Sequence, residues 1–201
     1  MFMKNFYLFL GLLAIIVIGL AFNEPKEQQA LTELKPNKLF FNEELSAQST
    51  IHGTFGQKHF LNKVSLIFFG YTRCPDFCPD TLAKLSRIHT SLKNNNQDNF
   101  DKLQIVFISV DTENDDIVTV KKYIQFFNND FIGVTLSPND LKTLTKSIGV
   151  YYEKISSSHN IDFYEHTGTV FLVNQSGKLF GIFTPPFDLS KLENEISNFL
   201  N

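Results

Sequence analysis

The chain has 201 residues, of which 43% are hydrophobic, and a formal net charge of −3. A chain of this length can bury a hydrophobic core without stabilising disulfides or metal ions. The sequence contains no cluster of basic residues, so we expect no nucleic-acid partner. There are 22 phenylalanines but only two cysteines. The composition predicts one globular domain with additional segments.

The N-terminal segment is the most apolar part of the sequence. Residues 6–22 contain no charge, whereas Lys4 precedes them and Glu24 follows. Such a run reaches the lower end of the roughly 17–25 residues that a membrane-spanning helix needs. It predicts an uncleaved transmembrane anchor behind a cytoplasmic N-terminus (residues 1–5), with the remaining chain exported. A cleaved signal peptide, with a weak cleavage site at residues 19–21, is the main alternative, and a buried core helix is the third.

The remaining sequence alternates between predicted strands and helices. Residues 23–40 are polar and contain two prolines, which predicts a tether before a domain over residues 41–201. The pattern predicts an α/β sheet with helices on both faces; with cysteines at the first strand-to-helix turn, this is a thioredoxin-like layout. The predicted elements are an irregular hairpin (46–60), a strand (63–70), a helix (79–93), a strand (103–110), a helix (116–127), a strand (131–136), a helix (138–148) capped by Ser137, a hairpin (169–173 with 178–183) and a helix (189–200).

Both cysteines lie in one short segment, with three residues between Cys74 and Cys78. They follow a buried strand and precede a helix, and a helix N-terminus stabilises thiolates. In helical geometry, residues four apart share one face, and a Cα separation of about 6 Å permits a disulfide. The pair could equally supply two sulfur ligands to one metal ion, so the spacing alone leaves both chemistries open.

His166 is the predicted third ligand. It stands just before the predicted strand 169–173, in a loop that a thioredoxin-like sheet places opposite the cysteine turn. Thiol oxidoreductases carry a cis-proline there, but the nearest prolines in this chain are Pro138 and Pro185. A histidine without that proline favours metal binding, and sulfur with imidazole suits copper or zinc.

The other four histidines are predicted to lie away from this site. His89 is on the same helix as Cys78 but roughly 16 Å farther along its axis, too far to share a metal ion. His159 lies in a polar loop, and the N-terminal hairpin carries His52 and His59.

At this point the sequence resembles a known family. Residues 69–80, Phe-Gly-Tyr-Thr-Arg-Cys-Pro-Asp-Phe-Cys-Pro-Asp, are similar to the signature of the SCO/SenC copper proteins, which are involved in assembling cytochrome c oxidase. The resemblance covers about residues 40–200 and includes the blocks 109–115, 149–152 and 165–167. The departures from the usual pattern are Glu165 for aspartate, Thr112 for proline and Asn114 for arginine.

The resemblance implies that Cys74, Cys78 and His166 bind copper, as Cu(I) or Cu(II). It also implies delivery of copper to, or thiol reduction of, the dinuclear copper centre of oxidase subunit II. With the predicted anchor, we expect a single-pass protein of the bacterial inner membrane whose C-terminal domain lies in the periplasm.

Several functions remain open from the sequence. A copper metallochaperone, which is not an enzyme, is the first. A membrane-tethered thiol–disulfide oxidoreductase or redox sensor is the alternative, with Cys74 attacking a partner disulfide and Cys78 resolving it. Another copper chaperone or a thioredoxin-like reductant is a further expected partner. A peroxidase-like enzyme and a structural disulfide are the remaining possibilities.

Overall fold

The computed structural model describes residues 31–34, 38–42, 44–95, 97–156 and 162–200. The predicted cytoplasmic N-terminus, the predicted anchor and residues 23–30 of the predicted tether lie outside these residues. Within the described ranges, no helix is both long enough and apolar enough to cross a membrane.

An eight-stranded mixed sheet forms the centre of the domain, and a separate two-stranded sheet lies beside it. The order in the large sheet is β1-β10-β9-β4-β5-β6-β2-β3, and the small sheet pairs β7 with β8. The strands are β1 (Thr32–Glu33), β2 (Ala47–Ser49), β3 (Gly53–Phe55), β4 (Val64–Gly70), β5 (Leu103–Ser109), β6 (Ile132–Thr135), β7 (Tyr152–Ser156), β8 (Asp162–His166), β9 (Val170–Val173) and β10 (Leu179–Phe183).

Helices connect the parallel strands of the large sheet. Helix α1 joins β4 to β5 and packs against α5, whereas α3 joins β5 to β6 and packs on β6. The helices are α1 (Phe77–Asn95), the single-turn α2 (Gln97–Phe100), α3 (Ile117–Gln125), α4 (Pro138–Ile148) and α5 (Leu189–Leu200), and a 3₁₀ helix covers Gln57–Phe60.

The central strands β4 and β5 place the candidate site. All residues of both strands are buried, which explains their continuous apolar sequence. They pair in parallel, in a register that runs from Val64 opposite Leu103 to Gly70 opposite Ser109. Their C-terminal ends therefore meet at one edge of the sheet, where loops commonly form binding sites.

Phenylalanines pack on both sides of β4, which accounts for part of their abundance. Successive side chains of a strand point to opposite faces. The Phe68 ring contacts the rings of Phe77 and Phe107, with centroids 6.3 Å away in each case. The Phe69 ring contacts Phe40 at 6.4 Å and Phe171 at 5.7 Å. Phe40 and Phe171 thus cover the face of the sheet on which Phe69 lies.

Most predicted elements are present, and the cap predicted for α4 is confirmed. Ser137 caps α4 by accepting a hydrogen bond from the backbone N–H of Asp140. Asp116 caps α3 in the same way, accepting from the N–H of Thr119 at 2.7 Å. The hairpin at residues 46–60 is also confirmed, but its turn precedes Gly53 rather than following it.

The structure differs from the sequence prediction in three places. Helix α1 begins at Phe77 rather than Pro79, because proline is tolerated anywhere in a first turn and so does not mark the first residue. Strand β1 lies inside the predicted tether and pairs with β10 at the sheet edge. The β7–β8 hairpin was not predicted, because its strands carry charged residues and its exposed side chains give no apolar alternation.

Candidate metal centre

The two cysteines lie where the central strand β4 is followed by helix α1. Cys74 is in the turn before the helix, and Cys78 is in the first turn of the helix. The backbone N–H of Cys78 donates to Cys74 Sγ at 3.3 Å. Both are free thiols; Cys78 is buried and Cys74 is partly exposed. One sulfur therefore faces the core and the other can be reached from solvent.

Gly70, the last residue of β4, makes room for the buried thiol. A Cβ atom at this position would lie 2.9 Å from Cys78 Sγ and 2.8 Å from Cε2 of Phe107. Because both neighbours are buried in the core, neither can move aside cheaply. The absence of a side chain at Gly70 is therefore a requirement of the site.

His166, the last residue of β8, brings its imidazole to the cysteines. Its Nε2 atom lies 3.4 Å from Cys78 Sγ, and the ligand atoms of Cys74, Cys78 and His166 all lie within 4.8 Å of one another. The other ring nitrogen, Nδ1, is 3.3 Å from the carbonyl oxygen of Thr167. In the tautomer in which Nδ1–H donates to that oxygen, Nε2 presents its lone pair to the sulfurs.

Three aromatic rings surround the imidazole. The centroids of Phe68, Tyr71 and Phe77 lie 5.9, 6.1 and 6.1 Å from that of His166, each in an edge-to-face arrangement. Phe77 lies over Gly168, where a Cβ atom would be 2.4 Å from its Cζ. The rings restrict the orientation of His166 and lower the local dielectric constant.

The two thiols differ in acidity. A hydrogen bond with Cys78 lowers the pKa of Cys74 to about 4, and His166 and nearby backbone N–H groups act in the same direction, against the effect of burial. The hydrogen bond to Cys74 and burial raise the pKa of Cys78. At neutral pH the pair therefore holds one thiolate, on Cys74, and one proton, on Cys78. Binding a metal through both sulfurs must release that proton.

Buried acidic residues hold the cysteine turn in place. Asp115 accepts hydrogen bonds from the backbone N–H of Thr72 at 2.9 Å, from its hydroxyl at 2.5 Å, and from Ser109 Oγ at 2.6 Å. Asp111 accepts from Arg73 Nη2 at 2.8 Å. Both carboxylates are buried, so each compensates its lost hydration with hydrogen bonds to the turn.

Asp111 and Asp115 were not among the predicted site residues. The sequence does contain a signal for them, because both aspartates lie within six residues of the end of β5, a strand as apolar as β4. Parallel neighbouring strands end at the same sheet edge, so acidic residues after one strand lie near a cysteine turn after the other.

The donor set fits a soft metal ion. Thiolate and imidazole ligands suit copper and zinc, whereas magnesium and calcium prefer oxygen. Among the described residues, no other group of three histidine, cysteine, aspartate or glutamate side chains has its ligand atoms close enough together to hold one metal ion. Cys74 and His166 also line an open pocket of about 430 Å³, which gives access from solvent.

The other described histidines lie away from the cysteines, as predicted. The rings of His52 and His59 stack on each other with centroids 4.8 Å apart. His89 is buried on α1, with Nδ1 at 3.1 Å from Asn128 Nδ2. His159 lies outside the described residues.

A mixed α/β domain with two thiols and an imidazole at the ends of its central strands defines a thioredoxin-like protein with a site suited to a soft metal. The model of the SCO1/SenC family matches residues 40–201, so this chain belongs to that family, as the resemblance indicated.

Individual relatives agree with this assignment. The chain is 35% identical to the mitochondrial SCO1 homolog 1 of Arabidopsis thaliana over 118 residues, which are 59% of this chain but only 34% of that protein. It is 31% identical to the SCO2-like protein of Rickettsia felis over 148 residues, or 73% of this chain and 68% of that protein. The chain thus spans about a third of the first relative and about two thirds of the second.

The fold is similar to that of a solved copper-bound structure. The crystal structure of Arabidopsis thaliana ScoI with copper bound matches with a TM-score of 0.71 and 28% identity, covering 78% of this chain and 95% of that one. This similarity confirms the predicted thioredoxin-like α/β class of the domain.

Proposed function

We propose that this chain binds one copper ion through Cys74, Cys78 and His166 and transfers it to an acceptor during assembly of cytochrome c oxidase. The observation that carries the proposal is the convergence of the three ligand atoms to within 4.8 Å. The similar ScoI structure of Arabidopsis contains copper. Thiolate ligands favour Cu(I), and imidazole is compatible with both oxidation states.

The asymmetry of the two thiols supports transfer rather than permanent storage. Cys74 is partly exposed and holds the thiolate, so it is the first sulfur that an incoming ion meets. Cys78 then gives up its proton, and His166 adds the lone pair of Nε2. Because Cys74 and His166 line the open pocket, ligands of an acceptor can approach them while buried Cys78 still holds the ion.

The partners and the location belong to the same proposal. The acceptor is the dinuclear copper centre of oxidase subunit II, and another copper chaperone supplies the ion. Residues 6–22 anchor the chain in the bacterial inner membrane, with the domain in the periplasm; the charge-free run in the sequence supports this placement. Membrane fractionation with a reporter fused after residue 201 tests it, and a reporter active only in the cytoplasm contradicts it.

Copper titration of the reduced full chain tests the central claim. We expect one Cu(I) per chain and, with Cu(II), an intense sulfur-to-copper charge-transfer band. The proposal is contradicted if the chain binds no copper although a thiol assay shows that both cysteines are reduced.

A second candidate function is supported by the low pKa of Cys74. As a thiol–disulfide oxidoreductase, the Cys74 thiolate attacks a partner disulfide and forms a mixed disulfide, releasing one partner thiolate. Cys78 then loses its proton, attacks Cys74 Sγ and releases the second partner sulfur. The partner gains two electrons, this chain is left with a Cys74–Cys78 disulfide, and a dithiol reductant must restore it. A reduction potential far below about −300 mV marks a stable disulfide and contradicts this function.

A further inference from the structure

His166 reaches the site from a sheet that is separate from the main one. Strands β7 and β8 pair only with each other among the described strands, with Tyr152 opposite His166 and Lys154 opposite Tyr164. Thr167 and Tyr151 also bond to each other at the base of this hairpin. Among the described strands, no backbone hydrogen bond between the hairpin and the main sheet therefore fixes the distance from His166 to the cysteines.

Two polar contacts join this hairpin to the loop of residues 111–115. The hydroxyl of Tyr164 donates to Asp111 Oδ1 at 3.2 Å, and Lys154 Nζ lies 2.6 Å from Glu113 Oε2. Glu113 is 64% exposed in its side chain, and exposed ion pairs contribute little to stability. Asp111 is fully buried, so we expect its hydrogen bond with Tyr164 to hold the hairpin more strongly than the exposed ion pair does.

Asp111 also contacts the opposite side of the site. Its Oδ2 atom accepts from Arg73, the neighbour of Cys74, while Oδ1 accepts from Tyr164. Tyr164 stands two residues before His166, so both side chains point to the same face of β8. The Asp111 carboxylate thus connects Arg73, which is adjacent to Cys74 in the sequence, with Tyr164. Tyr164 lies on the same face of β8 as His166.

We infer that Tyr164 is a positioning residue for His166, acting through its hydrogen bond to Asp111. The hydroxyl holds the face of β8 that carries His166 against the loop after β5. The Tyr164 ring adds a contact with Tyr71, at a centroid distance of 5.3 Å, and Tyr71 in turn contacts the imidazole. Without the hydroxyl, His166 keeps its strand and its aromatic neighbours but loses the contact that sets its distance from the sulfurs.

The inference rests on the proposed copper function and is tested with Tyr164→Phe in the reduced full chain. Competition with a chromogenic Cu(I) chelator should show affinity about three- to tenfold lower, at or below the lower end of the range for lost outer-shell partners. The sulfur-to-copper band of the Cu(II) form should shift. The thermal midpoint without metal should change little, because Asp111 keeps Arg73 and Asn114 as partners.

Tyr152→Phe is the matched control, since it removes a hydroxyl from the same hairpin that makes no hydrogen bond to residues 111–115. It should leave affinity and band unchanged. In a double-mutant cycle, Tyr164→Phe should add nothing to the loss caused by Asp111→Ala, which removes the acceptor of the Tyr164 hydroxyl.

The outcomes separate this inference from the copper proposal. If the unmodified chain binds no copper, the proposed function fails and with it the role of Tyr164. If the unmodified chain binds copper, the inference is overturned by Tyr164→Phe with unchanged affinity and band, or by an equal loss in Tyr152→Phe. If Asp111→Ala does not fold, the comparison of the two tyrosine variants still decides.

Discussion

The cysteine turn and the β7–β8 hairpin meet at one site but are attached to the domain in different ways. The turn follows a strand buried over its whole length, and Asp115 holds Thr72 with two hydrogen bonds. The hairpin is a small separate sheet with exposed apolar side chains, including Ile155 and Phe163. The sulfurs are therefore carried by a turn that is fixed to the core, whereas the imidazole is carried by a peripheral element.

This difference has a functional consequence if the site transfers copper. A site in which every ligand is equally rigid holds its ion, and release then requires breaking the whole arrangement. Two sulfurs on a rigid turn can keep the ion while the third ligand moves with its hairpin. Local opening is least costly in elements with few buried contacts, which describes the hairpin and not the turn.

The largest expected effect comes from removing a ligand on the rigid side. Cys78→Ser should abolish Cu(I) binding, because a serine hydroxyl stays protonated and is a poor ligand for a soft ion. The loss should exceed the roughly 10- to 100-fold that an outer-shell change costs. Chelator competition measures it, with Thr81→Ser on the same buried face of α1 as the control. Retention of near-normal affinity contradicts the role of Cys78.

His166→Ala should have a smaller effect than the cysteine change. The two sulfurs remain to hold Cu(I), so affinity should fall roughly 100-fold, by analogy with the upper range of outer-shell losses. The charge-transfer band of the Cu(II) form should change in energy and intensity, because one ligand is replaced by solvent. His52→Ala, a histidine away from the site, serves as the control. An unchanged spectrum in His166→Ala excludes the imidazole as a ligand.

The rigid side was also the more predictable one. Buried strands such as β4 and β5 have continuous apolar sequences, and the α4 cap Ser137 has a recognisable side chain. The position of the cysteines between a strand and a helix followed from these patterns alone.

The peripheral side could not be predicted in the same way. The β7–β8 hairpin has exposed, charged strands whose pairing depends on contacts with the domain, so no local pattern indicates it. His166 was identified from the expected sheet, which placed its loop near the cysteines, from the absence of a proline there, and from the family resemblance at residues 165–167. The contact between Tyr164 and Asp111 joins residues 53 apart in sequence, and it depends on a hairpin that the sequence does not indicate.

Two glycines beside the site show how easily a buried and a partly exposed neighbour can move aside. Gly70→Ala places a methyl group against Cys78 Sγ and the Phe107 ring, both buried, and should destabilise the domain by about 1–3 kcal/mol. Gly168→Ala meets the ring of Phe77, which is 38% exposed and can turn away. Its cost should fall below about 1 kcal/mol, by the same overpacking scale.

Urea unfolding followed by circular dichroism measures both changes, since the chain has no tryptophan. Gly56→Ala is the control, because its added Cβ makes only an ordinary contact at 3.4 Å with the Leu45 carbonyl. Equal losses at positions 70 and 168 contradict the expectation that the partly exposed Phe77 ring moves aside more easily than the buried side chains of Cys78 and Phe107.

The smallest expected effect concerns the pH dependence of α1, the helix that positions Cys78. Burial lowers the pKa of His89 from its ordinary value of 6.5; Asp130 opposes this shift and Lys93 adds to it. The unfolded chain therefore binds this proton more readily than the folded one, so stability falls as the pH drops below 6.5 towards the folded pKa.

His89→Gln removes this contribution and should make the decrease in unfolding free energy between pH 7 and 5 shallower by less than about 1 kcal/mol. Above pH 7.5 the difference in unfolding free energy between the two proteins should be constant, because His89 is then unprotonated in both the folded and the unfolded chain. A decrease that is equally steep in both proteins contradicts a contribution of His89 to the pH dependence of stability.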